Sequence, residues 1–207
     1  MNYRKLLLST AKSFSIILHP LLMPLYGTLL FFYYNHYLGY LINPSVKYLV
    51  IGVVFLFTFL LPSVAAYWLK IRGQIHSLEM DDPRDRRVPF AITAFFYMSA
   101  YYALLNLRLP QLFNLLLLGS TLMIFVALII NFKWKVSIHM IGIGGIAGGM
   151  VGISQRLFID MLWPTVFVII LAGILGTSRL ILKAHYPSQV YIGFLLGFAG
   201  MFLLFSF

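Results

Sequence analysis

Read for its apolar and polar positions, the chain resolves into seven apolar runs of roughly twenty residues, separated mostly by short polar breaks. They fall at Phe14–Tyr34, Val46–Leu69, Val88–Leu107, Leu112–Phe132, Ser137–Ser154, Met161–Leu182 and Tyr186–Phe207. A helix of that length matches a hydrocarbon layer of ~30 Å. Inside that layer only structures that satisfy their own backbone hydrogen bonds persist. The pattern predicts an all-α, polytopic membrane helix bundle of about seven spans, with residues 1–207 forming one integral membrane domain. The fourth and sixth runs are the cleanest. The fifth is rich in glycine, and the first holds Pro20 and Pro24, which predict a kink or a partly re-entrant path. The basic stretch Met1 to Lys12 is followed by no small-residue cleavage site, so the first run reads as a retained span.

Composition agrees. Of 207 residues, 61% are hydrophobic and 10% charged, and the mean hydropathy is +0.94. Soluble domains are closer to ~45–50% apolar and ~25% charged. The net charge of +10 serves topology and anionic lipid headgroups, because no soluble domain carries a basic stripe for nucleic acid. The absence of cysteine excludes disulfides, thiolate metal sites and cysteine nucleophiles. Tyrosine and tryptophan at span ends, such as Tyr33, Tyr34, Tyr37, Tyr40, Trp134 and Trp163, read as an interfacial belt. Gly142, Gly144, Gly145, Gly148, Gly149 and Gly152 in the fifth run, with Gly193, Gly197 and Gly200 in the seventh, predict close helix packing.

Ionisable residues gather in three places: Glu79 to Arg87, Lys133 to His139, and Arg179 to His185. Two spans separate the first cluster from the second, and two more separate the second from the third. Two crossings return a chain to the same face, so all three clusters lie on one side of the membrane. His19, His36 and His76 stand outside these clusters and read as structural or interfacial.

The third cluster reads Ser178-Arg179, five residues, His185, three residues, Gln189; the second contains Val136-Ser137-Ile138-His139; the first contains Arg86-Arg87-Val88-Pro89. Together these resemble the motifs of the type 2 phosphatidic acid phosphatase family, membrane-embedded lipid phosphate phosphatases. The family's third motif is Ser-Arg, five residues, His, three residues, Asp; its second is Pro-Ser-Gly-His; its first is Lys, six residues, Arg-Pro. Ser178, Arg179 and His185 match at the right spacing, and Ser137 and His139 are kept. Gln189 replaces the aspartate, and the first motif lacks its lysine. The resemblance spans residues 79–197, as a phosphatase-like core, and implies a home in a bacterial inner (cytoplasmic) membrane.

What the resemblance implies is hydrolysis of a phosphomonoester or diphosphate on a membrane lipid, independent of metal or other cofactor. His185 is then the nucleophile, passing through a phosphohistidine. His139 protonates the leaving alcohol and activates water, and Gln189 stands in for the residue that orients His185. Arg179, Ser178, Ser137, Arg87 and Arg86 would hold the phosphate. The chemistry suits these residue types. Arginine presents a planar fork to phosphate, and a helix N-terminus at Ser137 favours an anion. Glutamine accepts a hydrogen bond but brings no charge. In the Ser-His-Asp hydrolases the equivalent loss costs roughly 10⁴ in rate, so a lipid-phosphate binder with weak or no turnover is the alternative within the same site.

Two other classes compete. Asp81-Asp82-Pro83-Arg84-Asp85 spells the Asp-Asp-x-x-Asp pattern with which membrane prenyltransferases hold Mg²⁺ and diphosphate. Such enzymes need a second acidic cluster. The remaining acid, Asp160, falls on the opposite face by the same counting, so these acids are expected to pair with Arg72, Arg84, Arg86 and Arg87. A transporter or scaffold is the third class, though no charged pair in mid-span marks an ion path. Twelve basic residues lie on the face of the three clusters, against Lys47, Arg108 and Arg156 on the other. The positive-inside rule makes the first face cytoplasmic, whereas bacterial members of the resembled family face outward. Substrate identity and oligomeric state are not specified by the sequence.

Overall fold

The computed structural model describes residues 3–34, 39–40, 42–80, 82–107 and 109–207. Among the described residues the fold is all-helical, with no strand. Among the same residues, seven helical stretches are long and apolar enough to cross a membrane. The helices are α1 (Tyr3–Ile17), α2 (Met23–Tyr33), α3 (Pro44–Phe55), α4 (Leu61–Ile71), α5 (Arg87–Leu105), α6 (Gln111–Asn131), α7 (Ile138–Leu157), α8 (Leu162–Ile181) and α9 (Pro187–Ser206).

Two proline sites shape this order. The first stretch runs over Tyr3–Tyr33, starting well before the expected Phe14. As one straight helix it would measure ~46 Å, far more than the ~30 Å hydrocarbon layer. It is broken after α1, where His19 is extended (φ −66°, ψ 137°) ahead of Pro20 and caps a 3₁₀ turn, Pro20–Leu22. The residue before a proline avoids the helical region, and the proline has no N–H to continue the ladder. In the second stretch, Pro62 cannot donate to the carbonyl of Thr58. The helix widens into a π turn over Leu56–Leu60, and the Leu61 N–H reaches back to Leu56.

The chain forms two compact units. One comprises Met1–Met23 with Trp134–Phe207, the other Pro24–Lys133. In the second unit, α5 packs on α6. Phe113 of α6 stacks on Phe32 of α2 (ring centroids 5.4 Å, interplanar angle 11°) and meets Phe31 edge-on. Asn131 donates to the carbonyl of Pro83 at 2.7 Å, tying the polar loop before α5 to the end of α6.

The first unit is organised by α7 and α9, which run parallel at backbone contact. A Cβ on Gly144 would meet the carbonyl of Phe194, one on Gly148 the carbonyl of Phe198, and one on Gly152 the carbonyl of Phe202. From the facing side, a Cβ on Gly193 would lie 2.7 Å from the Ser137 carbonyl, and one on Gly197 would meet the carbonyl of Ile141. The two four-residue glycine rails interlock, each opening space for the other's backbone. Helices in lipid gain little from burying apolar surface against each other, so such close approach supplies the packing energy. α7 is accordingly the most enclosed span, 67% buried against at most 39% for the others. α8 packs against both, and α1 packs on α8.

Gly148→Ala is expected to destabilise the protein by about 1–3 kcal/mol, since the new methyl group is forced onto backbone. Gly52→Ala, which meets nothing within 4 Å, serves as the control. Thermal unfolding in detergent reads both, and an unchanged Gly148→Ala melting curve would contradict the backbone contact.

Candidate active site

The parallel course of α7 and α9 brings two helix N-termini to one end of the first unit, with the C-terminus of α8 beside them. Ser137 precedes α7 and donates its N–H to the Gln189 carbonyl in the first turn of α9 (3.3 Å). Seven polar residues are buried in this unit, and all but Thr165, in the first turn of α8, lie toward this end: Ser15, Ser137, His139, Ser178, His185 and Gln189. Buried polar groups cost several kcal/mol unless bonded, so their partners carry information.

His185 reaches its place through a tight exit from α8. The N–H of Ala184 donates to the carbonyl of Arg179 and that of Lys183 to Leu180, the paired bonds of a Schellman cap. The capping position is Lys183, with φ +52°, where glycine is usual. A side chain in this left-handed conformation costs about 1–2 kcal/mol. The strained turn sits between Arg179 and His185 and orients both.

The side-chain carbonyl of Gln189 accepts two hydrogen bonds, from the Tyr186 N–H (3.1 Å) and from His185 Nδ1 (3.0 Å). The Tyr186 N–H can only donate, which fixes the amide oxygen on this side. His185 Nδ1 must then carry the proton, and in the neutral ring Nε2 holds the lone pair. Gln189 thereby fixes the tautomer without supplying charge.

His139 has the opposite arrangement. Its Nε2 lies 3.2 Å from the carbonyl of Ser15, an acceptor only, so Nε2 donates. That carbonyl sits in the last turn of α1, where the helix itself offers no partner. His139 Nδ1 is buried and has no hydrogen-bond partner among the described residues, and the same holds for Ser137 Oγ and Ser15 Oγ. Buried polar atoms without a partner are uncommon, and here three of them lie together with the histidines.

Arg179, in the last turn of α8, interacts electrostatically with His139 and His19, and His139 also senses His185. Ser178 gives its hydroxyl proton to the carbonyl of Ile174 (2.8 Å), so it must rotate before it can bind a phosphate oxygen. The two helix N-termini add partial positive charge.

His19, expected to be structural or interfacial, is a site neighbour. Its ring meets His139 edge-on with centroids 5.7 Å apart. Its Nδ1 accepts from the Leu21 N–H, which anchors the ring to the 3₁₀ turn. The signal in the sequence was an ionisable residue inside an apolar run, directly ahead of a proline.

Arg86 and Arg87 belong to the second unit. There Arg86 Nε donates to the carbonyl of Met80 (2.7 Å), and the Arg87 guanidinium lies over the Phe132 ring (4.7 Å). Asp82 and Asp85, expected to pair with arginine side chains, have other partners. Asp82 caps its own turn by accepting from the Arg84 N–H, Asp85 accepts from both the backbone and the ring of His76, and Arg72 stacks on Trp68. The 3₁₀ turn Pro83–Arg86 points Asp85 back at the preceding loop. Asp81 and His36 lie outside the described residues. Among those described, no group of three His, Cys, Asp or Glu residues could hold a metal ion.

Compared with family models, curated proteins and solved structures, the chain matches none. The site therefore stands on its own geometry.

In ¹⁵N spectra of histidine-labelled protein, above the imidazole titration range, His185 should appear as the Nδ1–H tautomer and His139 as Nε2–H. Gln189→Ala should mix the tautomers at His185 alone; a shared tautomer in the unaltered protein would contradict the bonding above.

Proposed function

We propose that this protein hydrolyses a phosphomonoester or diphosphate of a membrane lipid through a phosphohistidine at His185, in the manner of the type 2 phosphatidic acid phosphatases its motifs resemble. The observation that carries the reading is the complementary pair of histidines at one bundle end: His185 with its lone pair on Nε2, His139 with an orphaned Nδ1, and Arg179 within electrostatic range of His139.

In the proposed cycle, Arg179, Ser137 and the first-turn N–H groups of α7 and α9 hold the non-bridging phosphate oxygens. His185 Nε2 attacks phosphorus, and the bond from phosphorus to the lipid oxygen breaks. The electron pair leaves with that oxygen, which takes the proton from Nδ1 of His139, the ring entering the cycle protonated on both nitrogens. Water then attacks the phosphohistidine, giving one proton to His139. The P–N bond breaks, its electron pair returns to His185, and inorganic phosphate departs. The Ser15 carbonyl steadies the positively charged form of His139 through Nε2–H.

Gln189 supports a second reading within the same site. A neutral partner does not stabilise charge on His185 as a carboxylate would, which favours tight phosphate binding with slow turnover.

With purified protein and a panel of lipid phosphates, phosphate release in the presence of chelator should be lost in His185→Ala and fall about 10²- to 10⁴-fold in His139→Ala. Gln189→Asp should raise it. Release that survives His185→Ala, or that needs Mg²⁺ and Asp81, would sink the proposal. Phosphate-lipid binding without release would leave the second reading.

A further inference from the structure

A groove of about 430 Å³ runs between α1 and α8, within the size range of small-ligand sites. Its walls are apolar: Leu7, Ala11 and Phe14 on α1, with Ile170, Gly173 and Ile174 on α8. On both helices the lining advances toward the histidines. On α8 it continues through Thr177 and Ser178 to Ile181, on either side of Arg179 in sequence. On α1 it ends at Phe14, the residue before Ser15, whose carbonyl holds His139.

Two dimensions identify an occupant. From Ile170 to Ile181, the limits of the lining on α8, the helix rises ~16 Å. That is about half the ~30 Å hydrocarbon layer, the depth reached by the chain of a lipid in one leaflet. The floor is also open. A Cβ added to Gly173 would meet nothing within 4 Å, although Ile170 and Ile174 flank it on the same face. At this end of α8 the cation next in sequence to the lining is Arg179, which calls for an anionic headgroup.

We propose that this groove seats one hydrocarbon chain of a phosphate-headed lipid, and that Gly173 keeps it open. The tail lies along α1 and α8 while the phosphate rests against Arg179 and His139. The identity of the headgroup rests on the proposed function; the seat for the chain rests on the groove.

The test uses the full-length protein in nanodiscs with a phosphatidic acid that carries a photoreactive diazirine in its acyl chain. Illumination should place adducts within Leu7–Phe14 and Ile170–Ile181. Unlabelled phosphatidic acid should compete for them, and diacylglycerol of the same chain length should not. Gly173→Leu should remove most of the labelling, with Ile170→Trp as an independent block. Gly173→Leu should also lower the ratio of kcat/KM for long-chain over short-chain phosphatidic acid about tenfold or more. Adducts elsewhere, equal competition by diacylglycerol, or labelling untouched by both variants would overturn the groove. Labelling in the groove without phosphate release would sink the phosphatase reading and leave the groove standing. Release with adducts elsewhere would do the reverse.

Discussion

Backbone contact between α7 and α9 is the constraint on which the first unit depends. Apolar side chains gain little by leaving lipid for another helix, so helices in a membrane associate where their shapes allow close approach. Gly144, Gly148 and Gly152 on one side and Gly193 and Gly197 on the other remove the side chains that would hold the two backbones apart. The consequence reaches the end of the bundle. Parallel helices locked in register must begin at the same level, so Ser137 bonds Gln189 across the gap, and His139 and His185 are buried close to that bond. Packing in the middle of the span thus sets the geometry of the polar end.

At that end, each histidine is held by an acceptor that dictates its tautomer. A backbone carbonyl from α1 claims Nε2–H of His139. A glutamine carbonyl, itself fixed by the Tyr186 N–H, claims Nδ1–H of His185. The result is two imidazoles that leave different nitrogens unbonded to these acceptors; in the proposed cycle one attacks and the other transfers a proton. An aspartate in place of Gln189 would add charge to the same geometry. The proposed chemistry therefore turns on how much of the work falls to orientation and how much to charge.

Much of this was legible in the sequence, for identifiable reasons. Span positions follow from hydropathy and the thickness of the bilayer, so the ends of most runs agree with the helices to within a few residues. Counting spans placed the histidine-bearing clusters at one end, because parity needs no knowledge of packing. The glycine spacing announced close contact. What the pattern hid was tertiary. His19 meets His139 across most of the chain length, and only the 3₁₀ turn after His19 sets that meeting. Neighbouring charges suggested that Asp85 pairs with an arginine, but the turn at Pro83 presents it to His76. The helix before Phe14 was missed because its basic residues disguise an amphipathic stretch that buries Ala11 and Ser15.

The most direct measurement is capture of the covalent intermediate. A lipid phosphate labelled with ³²P is mixed with the protein, quenched in alkali within the first turnover, and the labelled peptide is mapped. The account predicts an acid-labile, base-stable phosphoryl group on His185, formed with chelator present and absent in His185→Ala. Phosphate released in that turnover with no label on His185, or with label on another residue, would contradict it.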